Sequence, residues 1–430
     1  MNSSCDPLPV KNQKQEDLLV KKFTFYLFLV AVISGIRISE AQTQWRGPNR
    51  DGIYPEKNLL KQWPADGPKM LWSYEGLGTG QGSAVVSAGK VFVTGIPDTL
   101  DSKGYLFAFN EVGKLLWKKN YGKDWTGIFP GARSTPTVVD DLIYVESGTG
   151  NLYCLRTQDG EKVWSVDFFN DFQADSVQFG FSESPLIDGD RIYFTPGGKE
   201  NNVVALNRFT GQKIWSSPAY SEKATYCSPI LIEHNGRRLF VNLTSTSIIG
   251  LDAETGEMYW RVPQFQNNKI HANTPVFHEG KLLVSSASRI DTSGLVMLQL
   301  SPDGKKAEVV WRNKEFINLS GGFILKDGYL YGGAYLQPKW FCIDLATGQT
   351  KYVAKELGGG PVIYADGLFY CYAEKDSEMA LAEGNAEQFS VISRFKIPLG
   401  TAQHWAHQVI ADGKLFVRHN DALMVYNIRE

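Results

Sequence analysis

Residues 250–260 read Gly-Leu-Asp-Ala-Glu-Thr-Gly-Glu-Met-Tyr-Trp, and this pattern returns along the chain at intervals of about 45 residues. In each copy an Asp or Asn can bond the backbone two residues on, which starts a turn, and a Gly supplies the positive φ that completes it. The closing Trp belongs to a run of strand-forming residues. Each copy therefore predicts a strand, a tight turn and a second strand. Further copies occupy residues 108–117, 154–164, 205–215 and 343–352.

A second pattern precedes each copy, as in residues 134–145, which read Ser-Thr-Pro-Thr-Val-Val-Asp-Asp-Leu-Ile-Tyr-Val. It predicts a strand, a two-residue turn and another strand, which is a hairpin. Two hairpins per unit give four antiparallel strands, the content of one blade of a β-propeller. The second pattern begins eight times, at Ser83, Ser134, Ser184, Ser228, Thr274, Gly322, Gly360 and His407.

The two ends of the repeat region complement each other. The last unit ends at Tyr426 without a closing strand, whereas residues 69–74 form a closing strand that precedes the first unit. We predict an all-β, eight-bladed β-propeller of four-stranded antiparallel blades over residues 69–430, closed into a ring by this N-terminal strand. The closing tryptophans are expected in the core, each burying about 200 Å² and contributing about 5 kcal/mol. They are Trp72, Trp117, Trp164, Trp215, Trp260 and Trp311.

The formal net charge is −2, and no Lys/Arg run interleaves with aromatic residues. This composition does not indicate a nucleic-acid partner. Lys21 and Lys22 precede an apolar run over residues 23–36, which is too short for a transmembrane helix of about 20 residues. With the small residues Ser39 and Ala41, the pattern predicts an export signal over residues 1–41, cleaved after Ala41. The mature protein would then be periplasmic or secreted and lack a transmembrane segment; a buried strand or a membrane anchor is the alternative.

Residues 42–68 form an N-terminal arm rich in Gly, Pro and Asn. We expect this arm to lie over the ring, with Arg46 and Arg50 beside Asp51 in a local salt-bridged turn; a binding motif is the alternative. Four cysteines remain after the predicted signal, on different blades and never adjacent. They are expected to be buried free thiols, with a Cys342–Cys371 disulfide as the alternative.

The repeat Ala-Leu-Asn-x-x-Thr-Gly-x-x-x-Trp of residues 205–215 resembles the tryptophan-docking repeat of the pyrroloquinoline-quinone (PQQ) propeller superfamily. The resemblance covers residues 69–430. It implies the propeller fold, but the superfamily contains both PQQ-dependent alcohol and sugar dehydrogenases and scaffolds such as BamB. The export signal and the opening of the arm also resemble secreted PQQ-repeat proteins.

In a propeller, the loops that lead into the innermost strands surround one mouth of the central channel, where ligands gather. The polar and aromatic residues in these loops are the candidate ligand site. The candidates are Gln81, Arg133, Glu183, His271, Asn273, Asn318, His404, Trp405 and His407.

The resemblance implies that an enzyme of this superfamily would hold Ca²⁺ with a Glu and an Asn, here Glu183 and Asn273, and use an Asp as base. The next blade offers Asn318 instead, and an amide cannot act as a carboxylate base. The adjacent-cysteine disulfide of those enzymes is also absent from the sequence. We therefore expect no cofactor, and keep a PQQ- and Ca²⁺-dependent dehydrogenase as the alternative.

Other interpretations of the mouth residues remain open. His271, His404 and His407 are either metal ligands or satisfied polar loop residues, and His404 is also a candidate general base. Glu183 and Arg133 are a candidate ion pair, and Trp405 a candidate contact for a sugar or peptide. Taken together, the sequence favours an exported, monomeric, non-catalytic propeller that binds a protein or carbohydrate partner in the cell envelope.

Overall fold

The computed structural model describes Met1 and residues 43–264, 270–286, 294–335 and 337–430. Contacts divide the chain into one unit of Met1–Ala41 and a second of Gln42–Glu430. Apart from Met1, the predicted export signal and its cleavage site lie outside the described residues. In the part of the chain that is described, no helix has the length and apolar character needed to cross a membrane.

Two strands precede the first blade, β1 (Ile53–Tyr54) and β2 (Met70–Glu75). The first four blades each contain four antiparallel strands, hydrogen-bonded in order from the channel outwards. Blade 1 holds β3 (Val85–Ser87), β4 (Lys90–Gly95), β5 (Lys103–Asn110) and β6 (Leu115–Lys123). Blade 2 holds β7 (Thr137–Val139), β8 (Leu142–Ser147), β9 (Asn151–Arg156) and β10 (Lys162–Asp167), followed by the helix α1 (Phe168–Phe172). Blade 3 holds β11 (Leu186–Asp188), β12 (Arg191–Phe194), β14 (Asn201–Asn207) and β15 (Lys213–Pro218), with β13 (Gly197–Gly198) paired to β16 (Glu222–Lys223) beside it. Blade 4 holds β17 (Ile230–His234), β18 (Arg237–Leu243), β19 (Ser247–Asp252) and β20 (Met258–Pro263).

The remaining blades repeat this order, and the last of them takes its outer strand from the N-terminal side. Blade 5 holds β21 (Val276–His278), β22 (Lys281–Ser286), β23 (Gly294–Leu300) and β24 (Ala307–Asn313). Blade 6 holds β25 (Ile324–Lys326), β26 (Tyr329–Gly333), β27 (Trp340–Asp344) and β28 (Thr350–Ala354). Blade 7 holds β29 (Val362–Ala365), β30 (Leu368–Ala373), β31 (Glu378–Gly384) and β32 (Phe389–Lys396). Blade 8 holds β33 (Val409–Ala411), β34 (Lys414–His419), β35 (Ala422–Asn427) and β2.

Ring closure follows the predicted route. Strand β2 pairs antiparallel with β35, and Trp72 lies opposite Val425 in the register. The outer strand of blade 8 therefore comes from the start of the propeller, which removes the open edge between first and last blades. The prediction of an all-β, eight-bladed propeller with four-stranded blades is confirmed.

The turn of blade 4 shows why the repeated residues fold as they do. Asp252 Oδ1 accepts from the backbone N–H groups of Glu254 and Thr255 at 2.9 and 3.0 Å. Gly256 then adopts φ 75°, and its N–H donates to Asp252 O at 2.9 Å. Because only glycine takes this φ without steric cost, the position fixes the turn and so the pairing of β19 with β20.

The hydrophobic core lies between neighbouring blades. Val241 of blade 4 and Val284 of blade 5, for example, are fully buried in one cluster. The predicted burial of the closing tryptophans is correct for Trp215 and Trp260, which are 9% and 6% exposed. It is wrong for the other four, which are only partly buried, because the outermost strand leaves one side of the ring in solvent: Trp72, Trp117, Trp164 and Trp311.

The N-terminal arm passes through the central channel. At one end, Thr43 O accepts from Val138 N in the inner strand of blade 2. Strand β1 then runs parallel to β29, the inner strand of blade 7. At the other end, Glu56 accepts from the backbone of the β33–β34 turn, and Leu59 N donates to Asp366 in the β29–β30 turn. The expectation that the arm lies over the ring is therefore wrong, because its polar side chains find partners inside the channel.

Candidate functional site

A cavity of about 180 Å³ opens at the end of the channel where the inner strands begin. We call it the mouth cavity. The arm and the loops that lead into seven of the eight blades converge on it, so no single blade makes the site. Its lining comprises Trp45, Gln81, Phe129, Arg133, Phe179, Ser182, Ser184, Tyr226, Ser228, Ile270, Ala272, Leu319, Ser320, Tyr335, Trp405 and His407.

Four aromatic rings form a continuous row along the cavity, which we call the aromatic rim. Phe129 contacts Trp405 edge-on at 5.3 Å between ring centroids and Phe179 at 6.1 Å. Phe179 contacts Tyr226 at 5.9 Å. Trp405 is anchored from behind, because its Nε1 donates to Glu374 Oε1 at 2.6 Å. The rim presents rigid apolar surface with few conformations to lose when a ligand binds.

Arg133 is the charged side chain in the lining. Its Nη2 donates to the carbonyl oxygens of Ile128, at 3.1 Å, and of Phe129. Burial lowers the pKa of Arg133 to about 10, and attraction to Asp124 opposes that shift, so the guanidinium stays protonated at neutral pH. Asp124 is itself occupied, because its Oδ1 accepts from Trp125 N and Gly148 N at 2.7 Å each.

Of the nine residues predicted at the mouth, four line this cavity and five lie elsewhere. Gln81, Arg133, Trp405 and His407 line it. The others are buried among the inner strands and their neighbours, where they bind protein groups: Glu183, His271, Asn273, Asn318 and His404.

Glu183 is buried behind the channel wall. Asn242 Nδ2 bridges Glu183 Oε2, at 3.1 Å, and Thr195 Oγ1, at 2.8 Å. Burial raises the pKa of Glu183, and the nearby Glu146 carboxyl, whose Oε1 accepts from Glu183 N at 2.9 Å, has its pKa raised for the same reason. The ion pair between Glu183 and Arg133 is not formed, because the two side chains bond to different groups. That prediction is wrong.

The cation near Glu183 is Arg50 of the arm, which is 2% exposed. Its Nη1 donates to the carbonyl oxygens of Ser184 and Pro229 at 3.0 Å each, and its Nη2 donates to that of Pro185 at 2.5 Å. The predicted turn forms without its salt bridge, since Arg46 Nη2 donates to the backbone oxygen of Asp51 at 3.2 Å, and Asp51 Oδ1 accepts from Ile53 N.

On the opposite side of the channel, Arg46 also donates hydrogen bonds to backbone carbonyl oxygens. Its guanidinium donates to the carbonyl oxygens of Phe323, at 3.2 Å, and Val362, at 3.5 Å, and to His407 Nδ1 at 3.0 Å. Sequence reasoning missed both channel arginines as structural residues. The available signal was their position in a Gly- and Pro-rich arm beside Trp45, which does not reveal partners more than a hundred residues away.

Asn273 and Asn318 connect blades 5 and 6. Asn273 Nδ2 donates to Asn318 O at 2.8 Å, and its Oδ1 accepts from Gly322 N at 2.9 Å. Asn318 Nδ2 donates to the carbonyl oxygens of Gly322 and Gly333 at 2.8 Å each. Three of their four side-chain polar atoms thus bond backbone groups of the loop before β25 and the end of β26, whereas Asn318 Oδ1 is buried without a hydrogen-bond partner in the part of the chain that the structure describes.

This arrangement does not fit a Ca²⁺ ion held by Glu183 and Asn273. The Asn273 amide oxygen already accepts a backbone hydrogen bond, and Arg50 places a positive charge near the Glu183 carboxyl. A second cation there would be repelled. Among the described residues, no group of three or more His, Cys, Asp or Glu side chains is arranged to hold a metal ion.

The three predicted histidines have separate environments. His407 faces Arg46 and the Ser320 carbonyl, and burial lowers its pKa. His404 bonds to Tyr372 and Ser377, and burial lowers its pKa to about 4. His271 is fully buried, and its carbonyl accepts from Tyr226 N at 3.1 Å.

The four cysteines of the propeller are free and buried, so the prediction of free thiols is confirmed and the Cys342–Cys371 disulfide is absent. Burial raises the pKa of each thiol: Cys154, Cys227, Cys342 and Cys371.

Known proteins of similar sequence include outer membrane protein assembly factors and quinoprotein dehydrogenases. The chain is 26% identical over 206 residues to outer membrane protein assembly factor BamB of Legionella pneumophila strain Paris, covering 44% of this chain and 51% of that protein. It is 28% identical over 148 residues to quinoprotein ethanol dehydrogenase of Pseudomonas putida, covering 31% of this chain and 23% of that protein. The chain thus spans about half or less of the length of these curated relatives.

Among solved structures, BamB from Moraxella catarrhalis superimposes with a TM-score of 0.61 at 13% identity, covering 84% of this chain and 98% of that one. At this identity the likeness concerns the fold. Residues 102–352, more than half of the chain, match the sequence model described as outer membrane protein assembly factor BamB. The chain therefore belongs to that family of PQQ-like repeat β-propellers.

Proposed function

We propose that this protein is a non-catalytic binding module of the cell envelope that engages a macromolecular partner at the mouth cavity. The observation that carries the proposal is the pairing of a filled channel with an open, aromatic mouth. Arg46 and Arg50 fill the channel interior and satisfy its carbonyl groups, whereas the aromatic rim above them faces outward. Sites of this kind, apolar with a few placed polar groups, bind ligands.

The envelope location rests on two further observations. The sequence carries the pattern of an export signal before Gln42, and the family description names an outer membrane protein assembly factor. We propose that the mature chain acts as a monomer in the periplasm or outside the cell. A protein or a carbohydrate is the partner class that the sequence indicates.

A second candidate is a PQQ- and Ca²⁺-dependent dehydrogenase, which the quinoprotein relatives favour. The buried carboxyl of Glu183 is the residue that such an enzyme would use. Bound PQQ would supply quinone redox chemistry, with this chain holding and orienting it. The cation of Arg50 beside Glu183 and the engaged amide of Asn273 argue against this candidate.

Calorimetric titration of the mature chain with PQQ and Ca²⁺ separates the two candidates. The binding module is expected to give no saturable heat. Saturable binding of micromolar or tighter affinity that Glu183→Ala abolishes would overturn the proposal in favour of the dehydrogenase.

A photo-crosslinking residue in place of Phe129 tests the mouth directly. In envelope extract it is expected to yield discrete adducts, because Phe129 is 45% exposed on the rim. The matched control replaces Phe209, which is 49% exposed on the turn between β14 and β15 of blade 3. Equal adducts at both positions would contradict a specific site at the mouth.

A further inference from the structure

A second cavity of about 330 Å³ lies beside the mouth cavity. The two share Phe179, Tyr226 and Ile270 in their linings, so they are adjacent, and we call the two together the mouth groove. The groove runs from Trp405 past the aromatic rim to Lys223.

The two ends of the groove differ in polarity. The first end is built from the rings of the rim. The second end is lined mainly by short polar and small side chains together with Lys223: Ser176, Val177, Gln178, Ala224 and Ser245. A ligand that fills both ends must therefore have an apolar part and a polar part.

The charged side chains that line the groove are both positive. Arg133 lies at the aromatic end and Lys223 at the polar end, and no Asp or Glu lines either cavity in the described parts of the chain. Both cations are held by backbone carbonyl oxygens, Arg133 by those of Ile128 and Phe129 and Lys223 by that of Ser176 at 3.2 Å. The ligand that complements two such cations carries negative charge.

The loop beside Arg133 extends the apolar surface beyond the cavity. Ile128 is 57% exposed and Phe129 is 45% exposed, and Phe129 has φ 54°. Left-handed backbone is costly for a bulky residue, and such strain concentrates at binding sites. Exposed apolar residues next to a pocket mark a surface for a macromolecule more than for a small solute.

We propose that the mouth groove binds an extended acidic segment of a partner protein. A large apolar side chain of the segment occupies the aromatic end, and its carboxylates face Arg133 and Lys223. This inference rests on the proposed binding function and names the chemistry of its partner. A peptide suits the groove because an extended chain presents a new side chain about every 3.3 Å, so apolar and acidic side chains can follow one another along it. A neutral sugar would supply no counter-charge to either cation, and Arg133 would keep only its attraction to Asp124.

Fluorescence anisotropy with short labelled peptides tests the inference on the mature chain. The probe is a capped six-residue peptide with one Phe followed by alternating Asp and Gly. Matched peptides carry Lys in place of Asp, or Ala in place of Phe, and a neutral oligosaccharide serves as the competitor. The acidic Phe peptide is expected to bind saturably, and both matched peptides about tenfold or more weakly.

Two protein variants test whether Arg133 and Lys223 bind the carboxylates of the peptide. Arg133→Gln and Lys223→Gln are each expected to weaken the acidic peptide about five- to tenfold and to reduce the salt dependence of binding. Arg394→Gln, an exposed change on the outer strand of blade 7, is expected to leave the affinity unchanged. Thermal melting of each variant checks that it is folded.

The outcomes separate the inference from the function on which it rests. If the oligosaccharide or the basic peptide binds better, or if neither Gln variant changes the affinity, the acidic-segment inference is overturned and the binding module stands. If no peptide or sugar binds while PQQ with Ca²⁺ does, both are overturned.

Discussion

The indole of Trp215 in blade 3 lies against Gly256 in the closing turn of blade 4. The contact is so close that a Cβ on Gly256 would stand 2.4 Å from Cε3 of the ring. Nε1 of the same ring donates to the carbonyl of Ala253 at 3.3 Å. Blade 3 is thus joined to blade 4 through one indole and one glycine. The same contact joins Trp72 to Gly113, Trp117 to Gly160, Trp164 to Gly211 and Trp311 to Gly348.

Removing the indole of Trp215 should weaken the contact between blades 3 and 4. Trp215→Ala is expected to lower the free energy of unfolding by about 3–5 kcal/mol, because a large buried side chain is lost. Urea unfolding measures the change. A loss below about 1 kcal/mol would contradict this role of the ring.

The glycine side of the joint can be tested with a matched control. Gly256 and Gly236 have φ of 75° and 77°, but a Cβ on Gly236 would meet nothing within 4 Å. Gly236→Ala should therefore cost about 1 kcal/mol for the backbone conformation alone. Gly256→Ala should cost more, since the ring must also move. Equal losses in urea unfolding would show that the ring contact contributes little.

The channel arginines are expected to stabilise the ring. Arg50→Ala leaves the buried carbonyl oxygens of Ser184 and Pro229 without their donor, whereas that of Pro185 keeps the hydroxyl of Thr137. The loss should cost about 2 kcal/mol or more. Arg394→Ala, which breaks an exposed ion pair with Glu378, should change the stability by less than about 1 kcal/mol. Denaturant unfolding of both variants compares them. Equal stabilities would contradict a structural role for Arg50.

Glu183 should make stability fall with rising pH. Burial raises its pKa above the ordinary value of 4.5, so the folded protein holds the proton more tightly than the unfolded chain. The contribution is complete below 4.5 and is lost as pH rises through the folded pKa. Glu183→Gln stays neutral, so it should gain stability relative to the parent between pH 5 and pH 9. The free energy of unfolding of both proteins is measured with guanidinium at each pH. The same pH dependence for Glu183→Gln and the parent would refute this.

His404 should act in the opposite sense at acidic pH. Burial, followed by the charge of the stacked His419, lowers its pKa from 6.5 to about 4. Between these values His404 is protonated in the unfolded chain but neutral in the folded protein. Stability is therefore lost as pH falls from 6.5 towards 4. His404→Asn should show a smaller loss between pH 7 and pH 5. An unchanged pH dependence would contradict the assignment.

The four thiols should be unreactive in the folded protein. They are buried and their pKa values are raised, so the reactive thiolate is scarce and inaccessible. A thiol reagent is expected to label them only after denaturation. Rapid labelling of Cys371 in the native state would contradict its burial.

The blades could be predicted from the sequence because their information is local. The turn at Asp252 and Gly256 lies within five residues, and the hairpin pattern that precedes such turns occurs eight times, which gives the number of blades. The loops leading into the inner strands could be predicted for the same reason, and so Gln81, Arg133, Trp405 and His407 were placed at the mouth.

The rest depends on contacts between distant residues. Arg50 meets Pro185 and Pro229, which lie 135 and 179 positions away, and no local pattern encodes such partners. Phe129 and Phe179 were missed because an apolar residue in a sequence is ordinarily assigned to the core. Only the packing of several loops shows that these rings face outward.

The passage of the arm through the ring ties the earliest part of the propeller to the latest. Residues 43–63 precede all eight blades in the chain, yet Leu60 N bonds to Ile428 O, which follows the last strand of blade 8. Contacts of such sequence separation make folding slow. The arm therefore gains its full set of partners only after blade 8 has joined the ring.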